Sequence, residues 1–149
     1  MRILVTGTNG QLGYDIVNTL KSDHEVVGID FKELDITKED DVREYFTNNH
    51  FDSIIHCAAY TNVEEAEDKR DLCYDVNVNG TKYLVEAAKN MEASFIYFST
   101  DYVFDGSKPT PYNEDDTPNP QSSYGASKLA GERAMGADDA IVRISWVCG

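Results

Sequence analysis

The chain has 149 residues, of which 41% are apolar and 27% charged, with 27 acidic against 13 basic side chains and a net charge of −14. This is the size and balance of one globular domain that buries a core without a disulfide or metal staple, which excludes disordered and fibrous classes. So acidic a surface makes nucleic acid or an anionic membrane a poor partner, and the excess charge reads as solubility.

The apolar run Ile3-Leu4-Val5, closed by a glycine-rich turn, predicts a buried strand. Leu12, Ile16, Val17 and Leu20 then share one face of a helix. Val26 to Ile29 predicts a second strand, and Thr37 stands where it can cap a helix whose inner face is Val42, Tyr45 and Phe46. Ile54-Ile55 predicts a third strand, and an acidic stretch from Glu64 to Asp68 follows. A helical pattern runs from Leu72 to Met91 with Val76, Leu84, Val85 and Ala88 inward, and Gly80 within it marks close backbone packing. Phe95 to Phe98 predicts a fourth strand, and the stretch from Asp105 to Pro120, which holds all four prolines, a surface loop. Ser123 to Met135 predicts a helix and Ile141 to Ile144 a fifth strand.

Strands alternating with helices imply βαβ units and an α/β fold, a doubly wound parallel sheet of the Rossmann type with the strand order 3-2-1-4-5. Residues 1–149 are expected to form one NAD(P)-binding domain. Met1 leads at once into the first predicted strand, so no secretory leader is expected, and no apolar run approaches the ~20 residues of a membrane span. Cys57, Cys73 and Cys148 are odd in number and contain no C-x-x-C pair, which favours a reducing compartment with thiols as small apolar fillers. A cytoplasmic location follows as the expectation.

Gly7, Gly10 and Gly13 sit between the first strand and the first helix, spaced G-x-x-G-x-x-G. Glycines there allow a tight turn, a close backbone approach to a pyrophosphate, and a helix N-terminus whose free N–H groups face the phosphates. Asp30 lies 20 residues after Gly10, at the end of the second strand. A carboxylate there hydrogen-bonds adenosine ribose hydroxyls and repels a 2′-phosphate, so the cofactor is NADH or NADPH, with NADH slightly favoured. Asp35-Ile36 opens the next connection, beside the expected adenine site.

Tyr124 and Lys128 stand four residues apart on a predicted helix, on one face. An adjacent ammonium is expected to lower the phenol pKa from about 10 toward neutrality, which suits proton exchange with a carbonyl or alcohol oxygen. Ser99 and Thr100 follow the fourth strand directly, at the carboxyl edge where such sheets bind ligands.

Phe98-Ser99-Thr100-Asp101-Tyr102-Val103-Phe104-Asp105-Gly106, Tyr124-Gly125-Ala126-Ser127-Lys128-Leu129-Ala130-Gly131-Glu132 and Arg143-Ile144-Ser145-Trp146-Val147 resemble the extended short-chain dehydrogenase/reductases. Within that family they are similar to the dTDP-4-dehydrorhamnose reductases. The resemblance spans the chain and implies reduction of the 4-keto group of dTDP-4-dehydro-β-L-rhamnose to dTDP-L-rhamnose with NAD(P)H. It implies Tyr124 as proton donor to the ketone oxygen, Lys128 as holder of the nicotinamide ribose, and Thr100 as the hydroxyl that polarises the carbonyl. It assigns Asp101, Tyr102 and Trp146, with Thr100, to the sugar. It also places Gly10, Gln11, Leu12, Asp35, Ile36, Ala58, Ala59, Tyr60, Thr61 and Phe98 along the cofactor. The resemblance also implies a small C-terminal substrate domain, expected to lie outside residues 1–149, so that these residues alone are expected to bind cofactor without the thymidine diphosphate end of the substrate. Asn77, Asn79 and Gly80, before Thr81, resemble the N-x-x-G-T segment of the family, read as hydrogen bonds bracing the site.

A nucleotide-sugar epimerase or dehydratase that recycles NAD+ on the same scaffold is one alternative. A non-catalytic regulatory subunit of the kind that binds methionine adenosyltransferase is another, although such a subunit should have lost Tyr124, Lys128 or Thr100. His24, His50 and His56 show no metal-ligand spacing, so no metal is expected. Glu114, Asp115 and Asp116 read as a solvated loop face. A homodimer is left open.

Overall fold

Five parallel strands form the sheet of the computed structural model, which describes residues 1–148. They are β1 (Arg2–Thr6), β2 (Glu25–Ile29), β3 (Ser53–His56), β4 (Ser94–Thr100) and β5 (Ala140–Ile144). The doubly wound parallel sheet is as expected; the strand order is not. The observed order is β2-β1-β3-β4-β5, with Leu4 level with Ile54 and Ile54 level with Phe95. Burial explains the correction. All four residues of β3 are buried, which requires strands on both sides, whereas β2 leaves Glu25 and Gly28 exposed and serves as the edge. No further strand lies outside β2 among the described residues, because Asp30 to Lys38 runs as turns.

Helix α1 (Gln11–Leu20) covers one face, where Ile16, Val17 and Leu20 pack on Ile3, Val5 and Ile55. The other face carries α2 (Glu39–Asn48) and α5 (Thr81–Asn90) over a core of Leu4, Val42, Phe51, Ile54, Leu84 and Phe95. α2 has Lys38, not Thr37, at its cap position, and the Thr37 hydroxyl donates instead to Asp35 at 2.7 Å. Three acids, Glu39, Asp40 and Asp41, suit the positive end of that helix.

The acidic stretch is itself a helix, α3 (Val63–Asp68), capped by Asn62, whose side chain accepts the Glu65 N–H at 3.0 Å. Helix α4 (Arg70–Tyr74) then passes through a wider π turn (Asp75–Gly80) into α5, so the long helical pattern is continuous but locally unwound. At Gly80 a Cβ would lie 2.8 Å from the Ile36 side chain, the close packing its position signalled. After β4 comes a short 3₁₀ turn (Asp101–Val103), the proline-bearing loop, and α6 (Ser123–Glu132), which ends at Glu132 and not at Met135. No helix among the described residues is long and apolar enough to cross a membrane.

Candidate active site

The glycine loop leaves β1 at its carboxyl end. Gly7 has φ +74, and a Cβ there would lie 2.6 Å from the Ala58 nitrogen; at Gly13 it would lie 2.4 Å from the Gly7 carbonyl oxygen. These two glycines press the loop onto the end of β3 and onto its own helix. Gly10 meets only the Gly7 oxygen at 3.4 Å and is exposed. α1 starts with neither a side-chain cap nor an acid in its first turn, whereas α3 and α6 are capped by Asn62 and Ser122. Its first N–H groups and the positive end of its dipole are thus left without a side-chain partner, an arrangement that suits an anion such as a pyrophosphate.

Two adjoining cavities open over the carboxyl ends of the strands. The first, about 760 Å³, is lined by Asp30, Asp35, Ile36 and Ala58 among others. The second, about 510 Å³, is lined by Gln11, Leu12, Gly13, Phe98, Thr100, Asp101, Tyr102, Tyr124, Lys128 and Trp146. Both share Gly7, Gly10, Cys57, Ala59 and Thr61, so they form one groove. Of the residues expected there only Tyr60 lines neither part. Its peptide is turned to Asn77, and its phenol lies on the α3 side, where burial and then Glu65 raise its pKa.

Two carboxylates harden the rim. Asp30 accepts the N–H groups of Asn9 at 2.8 Å and Phe31 at 2.7 Å, while its own N–H donates to Glu33 at 2.8 Å. Asp35 accepts both the N–H and the hydroxyl of Thr37, at 3.0 and 2.7 Å.

Thr100 closes β4, accepts the Tyr102 N–H at 3.1 Å and donates to Asp101 at 3.3 Å. Gly125 lets α6 start against the 3₁₀ turn, since a Cβ there would lie 2.3 Å from the Tyr102 carbonyl oxygen. The Tyr102 ring then meets the Tyr124 ring edge-on at 5.7 Å between centroids. Trp146, 92% exposed, stands at the mouth of the groove.

The electrostatics differ from the expectation drawn from spacing. The Tyr124 phenol is shifted up, not down: burial raises it most, the Thr100 hydroxyl pulls the other way, and Asp101 adds to the rise. Lys128 is directed instead at β4. That side chain is 4% exposed, its Nζ lies 4.3 Å from the centroid of the Tyr97 ring, and burial brings its pKa down to about 8.

A buried polar scaffold holds these groups, and only part of it was legible. Asn77 does brace the site, donating to Ser127 at 2.9 Å, and Ser127 donates to the Tyr124 carbonyl at 2.7 Å. Asn79 does not, since among the described residues its side chain donates only to Asp75 within its own turn. His56 is fully buried, with Nδ1 2.7 Å from the Thr6 hydroxyl and Nε2 2.9 Å from the Thr81 hydroxyl. The Thr6 oxygen already accepts the N–H groups of Cys57 and Ala58, both at 3.1 Å. Its own proton therefore goes to Nδ1, which leaves Nε2–H to donate to Thr81. Burial, then Lys128, depresses the imidazole to about 3, so it is neutral.

A doubly wound Rossmann-type domain with a glycine loop and a Thr-Tyr-Lys constellation on one groove defines the class. The chain belongs to the family described as RmlD substrate binding domain, whose model matches residues 1–149. This agrees with the resemblance carried by the motifs at Phe98–Gly106 and Tyr124–Glu132. The chain is 42% identical over 153 residues to a dTDP-4-dehydrorhamnose reductase of Aggregatibacter actinomycetemcomitans, covering 99% of this chain and 52% of that protein. A crystal structure of a dTDP-4-dehydrorhamnose reductase from Clostridium acetobutylicum matches with a TM-score of 0.96 and 43% identity, over 100% of this chain and 55% of the other. The enzyme of that name from Bacillus anthracis, in complex with NADP, matches with a TM-score of 0.91 and 40% identity, over 95% and 52%. The chain spans about half the length of the curated relatives it matches.

Proposed function

We propose that residues 1–149 form the NAD(P)-binding and proton-donating part of a reductase that converts the 4-keto group of dTDP-4-dehydro-β-L-rhamnose into the alcohol of dTDP-L-rhamnose. One observation carries the reading: the glycine loop and the Thr100, Tyr124 and Lys128 side chains line the same groove. When bound, NAD(P)H supplies the hydride. Gly10, Gln11 and Leu12 hold the pyrophosphate at the start of α1, Asp30 the adenosine ribose, and Asp35 and Ile36 the edge of the adenine.

The shifted phenol suits this direction of reaction. A ketone reduced to an alcohol needs an acid, and a Tyr124 pKa raised by burial keeps the proton on Oη at neutral pH until the ketone oxygen gains charge. The Thr100 hydroxyl shares that oxygen and steadies it while the proton moves. Asp101, Tyr102 and Trp146 border the sugar from the open side of the groove. An NAD(P)-dependent biosynthetic step and unbridged thiols at Cys57, Cys73 and Cys148 fit a cytoplasmic setting.

The test is absorbance at the NADH band with dTDP-4-dehydro-β-L-rhamnose, using the chain together with any sequence encoded after it. Stoichiometric loss of NADH supports the reductase. Turnover of a nucleotide sugar without net loss of NADH moves the reading to an epimerase.

A further inference from the structure

Lys128 is an isolated cation in a dry place. Among the described residues it forms no ion pair, since the nearest acid on its own helix, Glu132, is engaged by Arg143 at 2.6 Å. Its Nζ sits over the Tyr97 ring, 4.3 Å from the centroid, where the ring quadrupole attracts a positive charge.

Tyr97 itself cannot move. It is fully buried in β4, its hydroxyl donates to the Lys128 carbonyl oxygen at 3.2 Å, and its ring lies 5.8 Å from the His56 ring. Gly131, one turn beyond Lys128, makes this seat: a Cβ there would lie 2.3 Å from the Tyr97 oxygen. The phenol is therefore tied to the backbone of the very residue whose side chain lies over its face.

We propose that Tyr97 is a positioning residue, whose ring face holds the Lys128 ammonium in the groove and keeps it charged, while its hydroxyl fixes the helix turn that carries Lys128. The inference rests on the reading above only in giving Lys128 a cofactor to serve. The groups facing Lys128 are Cys57 at the end of β3, Cys73 of α4, Tyr97 of β4, Glu132 of α6 and the neutral His56 of β3. Burial pulls its pKa down, the cysteines and Glu132 oppose that, and the ring adds to the opposition.

The experiment is a titration of the Lys128 Cε resonance in the 149-residue chain labelled with ¹³C-lysine, assigned by its absence in Lys128→Arg. Two replacements are compared: Tyr97→Phe, which keeps the π face and drops the hydroxyl, and pentafluorophenylalanine at position 97, which keeps the shape and reverses the quadrupole. The first is expected to titrate within about 0.3 pH unit of the parent, and the second about 1 unit lower. Equal pKa values for the two variants overturn the proposal, whether both fall together or neither falls. NADH affinity is measured on the same samples by fluorescence. A parent chain that binds no NADH overturns the functional reading alone, because the titration is read without cofactor.

Discussion

Asn77 grips the peptide of Tyr60 at both ends, accepting its N–H on Oδ1 at 2.8 Å and donating from Nδ2 to its carbonyl at 3.1 Å. The second Nδ2 proton goes to Ser127, so one amide joins the segment after β3, the π turn and α6. The side chain is 1% exposed, and water cannot replace it. Asn77→Ala deprives the half-buried N–H and carbonyl of Tyr60 and the buried Ser127 hydroxyl of their partner and is expected to cost about 2–4 kcal/mol of stability. Urea denaturation checks this through a lower midpoint at unchanged slope. A midpoint within error of the parent would remove Asn77 from the scaffold.

His56 gives stability a pH dependence of known sign. Its folded pKa of about 3 lies below the ordinary 6.5, so the unfolded chain takes up a proton that the folded chain refuses. Stability is complete above about pH 6.5 and falls by roughly 1.4 kcal/mol per pH unit as pH drops toward 3. Above about pH 4.5 most carboxylates still hold their charge, so the upper part of this window isolates the imidazole. His56→Gln, compared there by denaturant titration, is expected to lack this slope. An equal slope in both proteins would assign it elsewhere.

How far the sequence reached depends on what its periods encode. Runs such as Ile3 to Val5 and Ile54-Ile55 report burial on both faces, so the strands were legible, but burial does not say which strand is their neighbour. The expected order follows the doubly wound template, in which the third strand lies outside the second, whereas β3 lies between β1 and β4. For the site, i and i+4 spacing placed Tyr124 and Lys128 on one face of α6 without giving depth. Lys128 is the more buried of the two, and its charge meets a ring from β4 that lies 31 residues earlier. Tyr97 carried no local signal. Gly131 did, as a glycine inside a helix, because the Tyr97 phenol occupies the space its Cβ would fill.

Tyr124→Phe removes only the transferable proton. In the complete protein kcat is expected to fall on the order of 10²- to 10⁴-fold, with NADH affinity nearly unchanged. Steady-state kinetics and a fluorescence titration with NADH read the two quantities separately. Near-normal turnover would exclude Tyr124 as the acid.

Asp30→Ala tests how the rim reads the cofactor. With two carboxylates, Asp30 and Asp35, at the groove edge, a 2′-phosphate meets negative charge. The variant is expected to narrow the gap between NADH and NADPH affinities by about tenfold, equivalent to roughly 1.4 kcal/mol. Asp30 also accepts the Asn9 and Phe31 N–H groups, so Asp30→Asn is measured beside it to retain a side-chain acceptor without the charge. An unchanged ratio in both would mean that Asp30 does not face the ribose.

Lys128 is a case where function and stability oppose each other. Burial holds its folded pKa near 8, against an ordinary 10.5, so at neutral pH the folded chain keeps a charge that the unfolded chain hydrates better. The unfolded state binds more protons between those two values, and stability therefore rises with pH across that window. Lys128→Met fills the same space without the charge and is expected to stabilise the cofactor-free chain by about 3 kcal/mol at neutral pH. The gain should shrink as pH rises from 8 and fall to about 0.4 kcal/mol near 10.5, where the folded lysine is neutral and the unfolded lysine half protonated. The same variant is expected to lose NADH affinity and turnover. Denaturant melts at neutral and alkaline pH measure the first effect, and a fluorescence titration the second. A destabilised Lys128→Met at neutral pH would mean that the Tyr97 ring and Glu132 together more than offset the desolvation of the ammonium, and that the charge belongs to the fold as well as to the site.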